Sequence, residues 1–124
     1  DVHTIFADKR AVKQIVINLL SNAIKYNRPS GSVIISADHT EADISITVQD
    51  TGMGIPDDAL PHLFEKFYRV REHEIKAGGT GLGLSISKQI MQGHNGSLEV
   101  KSKIGVGTAF TLRLPRHSKT IPRK

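Results

Sequence analysis

Asn18-Leu19-Leu20-Ser21-Asn22-Ala23-Ile24-Lys25-Tyr26 is the stretch on which the reading of this chain turns. It closes a segment in which Val12, Ile15, Val16, Leu19, Leu20 and Ala23 recur at helical spacing. The pattern predicts an amphipathic helix from Asp8, a candidate N-cap, to about Asn27. Gln14, Asn18, Asn22 and Lys25 are spaced so that, at ~100° per residue, they share about 80° of arc opposite the apolar stripe. Such a stripe is often no more than a solvated face. Its meaning depends on what surrounds it.

Working outward, strand-like His3-Thr4-Ile5-Phe6 precedes the helix, and Pro29-Ser30-Gly31 marks a turn after it. Strands are predicted near 32–38 and 43–50, joined as a hairpin around 41–43. Ile44-Ser-Ile46-Thr-Val48-Gln alternates apolar and polar as a half-buried strand does. Asp50 falls at the end of the second strand. A short helix is expected over Asp57–Phe67, then a polar, Gly-rich loop over 68–80. A further helix begins near Gly81 or Leu82 and stops at the C-cap signal Asn95-Gly96. Strands near 97–103 and 107–114 close the chain. The order β-α-β-β-α-loop-α-β-β implies an α/β two-layer sandwich, with a mixed, mainly antiparallel sheet covered by helices on one face.

At 124 residues, 38% hydrophobic and 23% charged, the chain has the size and composition of one globular domain. The net charge of +5 suits polyphosphate, a membrane surface or nucleic acid. Part of it belongs to Arg116, Lys119, Arg123 and Lys124, read as a solvated basic tail over 116–124. With no cysteine, disulfides, thiolate metal sites and cysteine nucleophiles are excluded. No apolar run approaches the ~20 residues of a membrane span, and no signal peptide opens the sequence, so a soluble piece of a larger protein is expected. The six histidines show no metal-binding spacing. Aromatics, at 5%, are not interleaved with basic residues, which argues against nucleic-acid binding by stacking.

Three glycine-bearing runs lie downstream of the helix. Asp50-Thr51-Gly52-Met53-Gly54 suggests half of an aspartic protease, but such a site needs two Asp turns in a β-rich chain. Base recognition is the better reading. A carboxylate only accepts hydrogen bonds, so Asp50 would take the exocyclic amine of adenine, while Gly52 and Gly54 would leave room for a flat base. Gly79-Thr80-Gly81-Leu82-Gly83 opens a helix, where free N–H groups and the helix dipole favour an anion. It matches neither G-x-G-x-x-G nor G-x-x-x-x-G-K-[ST]. Gly105-Val106-Gly107-Thr108 is explained as well by a hairpin turn as by a ligand contact. On the helix, the Asn22 carbonyl suits Mg²⁺ already held by phosphate, Asn18 a phosphate or metal-bound water, Lys25 a phosphate, and Tyr26 a base or ribose.

In this order the motifs resemble those of the catalytic, ATP-binding domain of bacterial two-component sensor histidine kinases, within the superfamily that includes DNA gyrase and Hsp90. The resemblance covers about residues 5–114. Asn18–Tyr26 resembles the N box, Asp50–Gly54 the G1 box, Leu63-Phe64-Glu-Lys-Phe67-Tyr68-Arg69 the F box and Gly79–Leu84 the G2 box. It implies the Bergerat fold, a sheet with three main helices, as a catalytic domain over 1–115. It implies ATP and Mg²⁺ as ligands, with Asn22 on the metal and Asn18 and Lys25 on phosphates. Tyr26, Asp50, Gly52, Gly54, Ile55, Phe67, Gly79, Thr80, Gly81, Leu82, Gly83, Leu84 and Thr108 would line the nucleotide. Residues 65–80 would be a lid seated by Phe64 and Phe67, with Arg69 or Lys76 reaching the γ-phosphate or a partner domain.

The implied partners are a dimerisation domain carrying the phosphoacceptor His, absent from this sequence, and a response regulator. The isolated domain would be a cytoplasmic monomer, and the whole protein a homodimer that membrane anchoring would suit. ATPases of the superfamily place a water-activating Glu one turn before the metal-binding Asn. Asn18 stands there, and an amide takes no proton at neutral pH. A gyrase- or Hsp90-like ATPase and a non-catalytic nucleotide-binding regulator are the alternatives.

Overall fold

The structure, a computed structural model, describes residues 9–65 and 83–115. Helix α1 spans Lys9–Lys25, strands β1 and β2 span Val33–His39 and Asp43–Asp50, helix α2 spans Gly83–Gly93, and strands β3 and β4 span Ser97–Lys103 and Gly107–Pro115. The strands form one sheet in the order β1-β2-β4-β3, with every neighbouring pair antiparallel. The strand expected at 3–6 and the tail at 116–124 lie outside the described residues.

Side-chain alternation gives the sheet two faces. Val48, Phe110, Leu112, Leu114 and Leu98 point to one side and meet Ile15, Leu19, Ala23 and Met91 from the helices. All six apolar residues read from the spacing of α1 join this core or pack against it. The strict alternation of β4, buried at every second residue, is what a strand covered on one face requires. Strand β1 departs from it. Ile34 and Ile35 are 56% and 50% exposed, on a strand that forms one edge of the four described.

Over 57–65 the expected helix is reduced to turns and a 3₁₀ segment, Leu60–His62. Pro61 is the cause. It has no N–H to return to Asp57, and its ring obstructs the α-helical register. The N–H groups of His62, Leu63 and Glu65 instead donate three residues back, to Ala59, Leu60 and His62. The stop of α2 follows the sequence signal. Asn95 takes φ 61°, its N–H bonds to Gln92 O, and Gly96 N–H reaches Met91 O at 2.8 Å, the Schellman pattern. A side chain on Gly96 would collide with the Arg113 carbonyl of β4.

Candidate functional site

The C-terminal end of α1, the turn after β2 and the β3–β4 turn meet at one end of the sheet. Asp50 is the last residue of β2, paired across the sheet with Thr108. Its Oδ1 accepts from Gly52 N–H at 2.8 Å and Thr108 N–H at 3.3 Å. The carboxylate is therefore held between two chain segments. Thr51 N–H donates to Ser32 O, Met53 N–H to Tyr26 O, Gly105 N–H to Met53 O, and Ile55 N–H to Ser102 Oγ at 2.8 Å. Ser102 Oγ in turn donates to Gly107 O and shares a 2.8 Å bond with Thr108 Oγ1. The turn from Asp50 to Ile55 is thus tied to α1, β3 and β4.

At the glycines the structure adds a packing requirement of its own. A Cβ on Gly52 would overlap the Tyr26 carbonyl, and one on Gly54, at φ +77°, would overlap that of Lys103. Close approach of backbone to backbone already requires glycine at both positions, before any base is considered. Gly107, at φ +148°, lies against the Asp50 carbonyl.

On α1, Asn18 and Asn22 are half-buried while Gln14 and Lys25 are exposed. The stripe expected to lie wholly opposite the apolar face is partly covered, because α2 packs beside it. Asn18 Nδ2 donates to Ser87 Oγ at 3.1 Å, and Ser87 is buried. No described residue hydrogen-bonds the side-chain amide of Asn22, so a half-buried oxygen donor stands available on this helix. An amide oxygen is a hard ligand, suited to Mg²⁺ that phosphate and water already coordinate. Tyr26 is half-buried. Ile55 lies in the core, and Thr108 is 6% exposed beside Asp50. Gly83 is the first residue of α2, and Leu84 packs on the core.

Phe64 meets Phe110 edge to face at 6.5 Å and carries Lys88 Nζ 4.7 Å from its ring centre, so this part of the F-box stretch is seated on β4 and α2. Phe67, Arg69, Lys76, Gly79, Thr80, Gly81 and Leu82, with residues 66–80 of the expected lid, lie outside the described residues. The sequence reading passed over Asn27, Arg28 and Ser102. Asn27 Nδ2 donates to Ser32 O, its Oδ1 accepts from Thr51 Oγ1, and one Arg28 nitrogen donates to Gly52 O at 3.2 Å and Gly105 O at 2.8 Å. The one local signal was the polar turn directly after the Asn-rich helix.

An α/β sandwich whose Asp50-Thr51-Gly52 turn lies at the end of an amide-bearing helix narrows the class. Residues 7–118 match the family described as histidine kinase-, DNA gyrase B-, and HSP90-like ATPase, and the chain belongs to that family. It is 49% identical over 109 residues to the sensor histidine kinase RppB of Synechocystis sp., covering 87% of this chain and 24% of that protein. It is 48% identical over 108 residues to the sensor histidine kinase YkoH of Bacillus subtilis, covering 86% and 23%. Among solved structures, the mycobacterial sensor histidine kinase MprB superposes with a TM-score of 0.80 at 30% identity, over 91% of this chain and 77% of that one. Full-length ShkA in complex with AMPPNP gives 0.78 at 30% identity, over 96% and 24%. The chain spans about a quarter of the length of these sequence relatives. Among the described residues no helix is long and apolar enough to cross a membrane.

Proposed function

We propose that this chain is the ATP- and Mg²⁺-binding catalytic domain of a sensor histidine kinase, which presents the γ-phosphate of ATP to a His on a separate dimerisation domain for relay to a response regulator. The observation that carries this reading is the fixed carboxylate of Asp50 at the same end of the sheet as the C-terminus of the amide-bearing helix α1. Asp50, acceptor-only, takes the adenine amine and disfavours guanine, which shows a carbonyl there. Asn22 would hold Mg²⁺, which would supply charge neutralisation for the phosphates. Lys25 supplies a point charge to phosphate, and Asn18, anchored on Ser87, contacts phosphate or metal-bound water. Gly52, Gly54, Ile55, Thr108, Tyr26 and the G2 stretch Gly79–Leu84 shape the pocket, and Phe67 and Arg69 act from the lid.

In this reading catalysis is positioning and charge neutralisation, with the nucleophile supplied by another domain. Asn18 in place of a carboxylate favours transfer over hydrolysis, because an amide does not activate water. ShkA, whose structure holds AMPPNP, lends the ligand class support. Calorimetric titration with a non-hydrolysable ATP analogue, with and without Mg²⁺, tests the reading. Binding that tightens with Mg²⁺ is expected. Absence of binding in both conditions overturns the proposal, and steady phosphate release without an acceptor turns it toward a gyrase- or Hsp90-like ATPase.

A further inference from the structure

Arg28 follows α1 on an exposed turn and belongs to none of the motifs that carry the family resemblance. Its guanidinium nevertheless spans two segments remote in sequence. One terminal nitrogen, Nη2, donates to Gly52 O at 3.2 Å and to Gly105 O at 2.8 Å. That nitrogen carries two N–H groups, so the two bonds coexist.

The two carbonyls lie on the two turns that hold Asp50. Gly52 donates its own N–H to Asp50 Oδ1, so anchoring the Gly52 carbonyl fixes the orientation of the residue that makes this bond. Gly105 belongs to the β3–β4 turn, and Thr108, just beyond it on β4, gives Asp50 Oδ1 its second N–H. Gly105 N–H also bonds to Met53 O, which closes the two turns on each other. Neither glycine has a side chain with which to pack. Gly105 lies at φ +80° with nothing near the place of a Cβ.

From this geometry we infer that Arg28 is a positioning residue for base selectivity. It couples the end of α1 to both turns that orient the Asp50 carboxylate, and so sets how strictly the site prefers an adenine over a guanine nucleotide. The inference rests on the nucleotide-binding reading above. An Arg that merely stabilised the fold would alter the folded fraction and weaken every nucleotide alike. A positioning Arg alters the ratio between bases.

The test is titration of the full 124-residue chain with the Mg²⁺ complexes of non-hydrolysable ATP and GTP analogues. The parent, Arg28→Met, Arg28→Lys and Lys13→Met are compared, the last removing the same charge from an exposed position on α1. In the parent a preference for the adenine analogue of roughly 10-fold or more is expected, as a site that hydrogen-bonds a distinguishing group should show. Arg28→Met should lower that ratio to within about 3-fold, mainly by weakening the adenine analogue, with Arg28→Lys recovering part of it through its own N–H donors and Lys13→Met leaving it unchanged. A parent that prefers adenine while Arg28→Met keeps the same ratio overturns the role of Arg28 alone. A parent that binds neither analogue overturns the nucleotide-binding reading and this inference with it.

Discussion

Asp43 and Asp50 are the first and last residues of one strand, β2, yet the structure uses them differently. Asp43 serves the hairpin beside it. Its Oδ1 accepts from Thr40 Oγ1 at 3.2 Å, and its backbone closes the turn with Thr40 N–H and Oγ1. Every one of those bonds spans three residues. Asp50 accepts from Gly52 two residues on, but also from Thr108 on β4, and its carbonyl lies against Gly107. A strand-end aspartate therefore closes a local turn or joins distant segments according to what converges on it. Residue type alone does not decide between the two.

The largest expected effect tests that convergence through the backbone. Gly107→Ala places a Cβ onto the Asp50 carbonyl at a φ that disfavours any side chain, and should cost about 2–4 kcal/mol of stability. Gly93→Ala, at the end of α2 on the Asp43 side, meets nothing and has no positive φ, so it should be neutral or stabilise by about 0.5–1 kcal/mol. Chemical denaturation of the two variants measures the difference. Equal midpoints would mean that the Asp50 end yields as easily as the other.

Next in size is the carboxylate itself. Asp50→Asn keeps the shape but replaces an acceptor with a donor, and should weaken an adenine nucleotide by about 10–100-fold, or ~1.5–3 kcal/mol. Binding that stays within a factor of two of the parent would remove Asp50 from the base site. Ser102→Ala is smaller. It leaves the Ile55 N–H without its partner and should cost about 1–2 kcal/mol of stability, with slower loss of nucleotide affinity than Asp50→Asn. Amide exchange at Ile55 is the direct readout, and unchanged protection there would mean that Ser102 is dispensable.

The parts of this architecture that can be read from sequence are those written in short periods. The buried face of α1, the alternation of β4 and the Asn95-Gly96 stop each depend on residues within a few positions of one another, and each appears as expected. Strand β1 is less distinct, since Ile34 and Ile35 are consecutive, point to opposite faces and are both half-exposed. The short helix expected from Asp57 is, over the described residues, a 3₁₀ turn, because Pro61 removes one of its N–H donors. The motif residues of the candidate site are legible in the sequence, but the contacts that support them are not. The bonds from Arg28 to Gly105, Ile55 to Ser102 and Asn18 to Ser87 join segments far apart in sequence, and no periodicity encodes them. The glycines of the Asp50 turn show the same gap. Their positions were readable, but the carbonyls that exclude a Cβ belong to Tyr26 and Lys103.

The smallest expected effect bears most directly on the contrast between the two aspartates. A cleft of about 220 Å³ lies beside Asp43, lined by Asn95, Ser97 and Arg113 among others, so the Asp43 end also offers polar groups around a hollow. Asp43→Ala removes one exposed hydroxyl–carboxylate bond whose partner, Thr40, regains it from water. The cost should be about 0.5 kcal/mol or less, because an exposed hydrogen bond exchanges nearly evenly with solvent. Nucleotide affinity and the Mg²⁺ dependence of binding should both stay at parental values. If Asp43→Ala instead weakened the nucleotide as much as Asp50→Asn, convergence of distant segments would no longer distinguish a site from a turn. The cleft beside Asp43 would then have to be considered part of the nucleotide-binding surface.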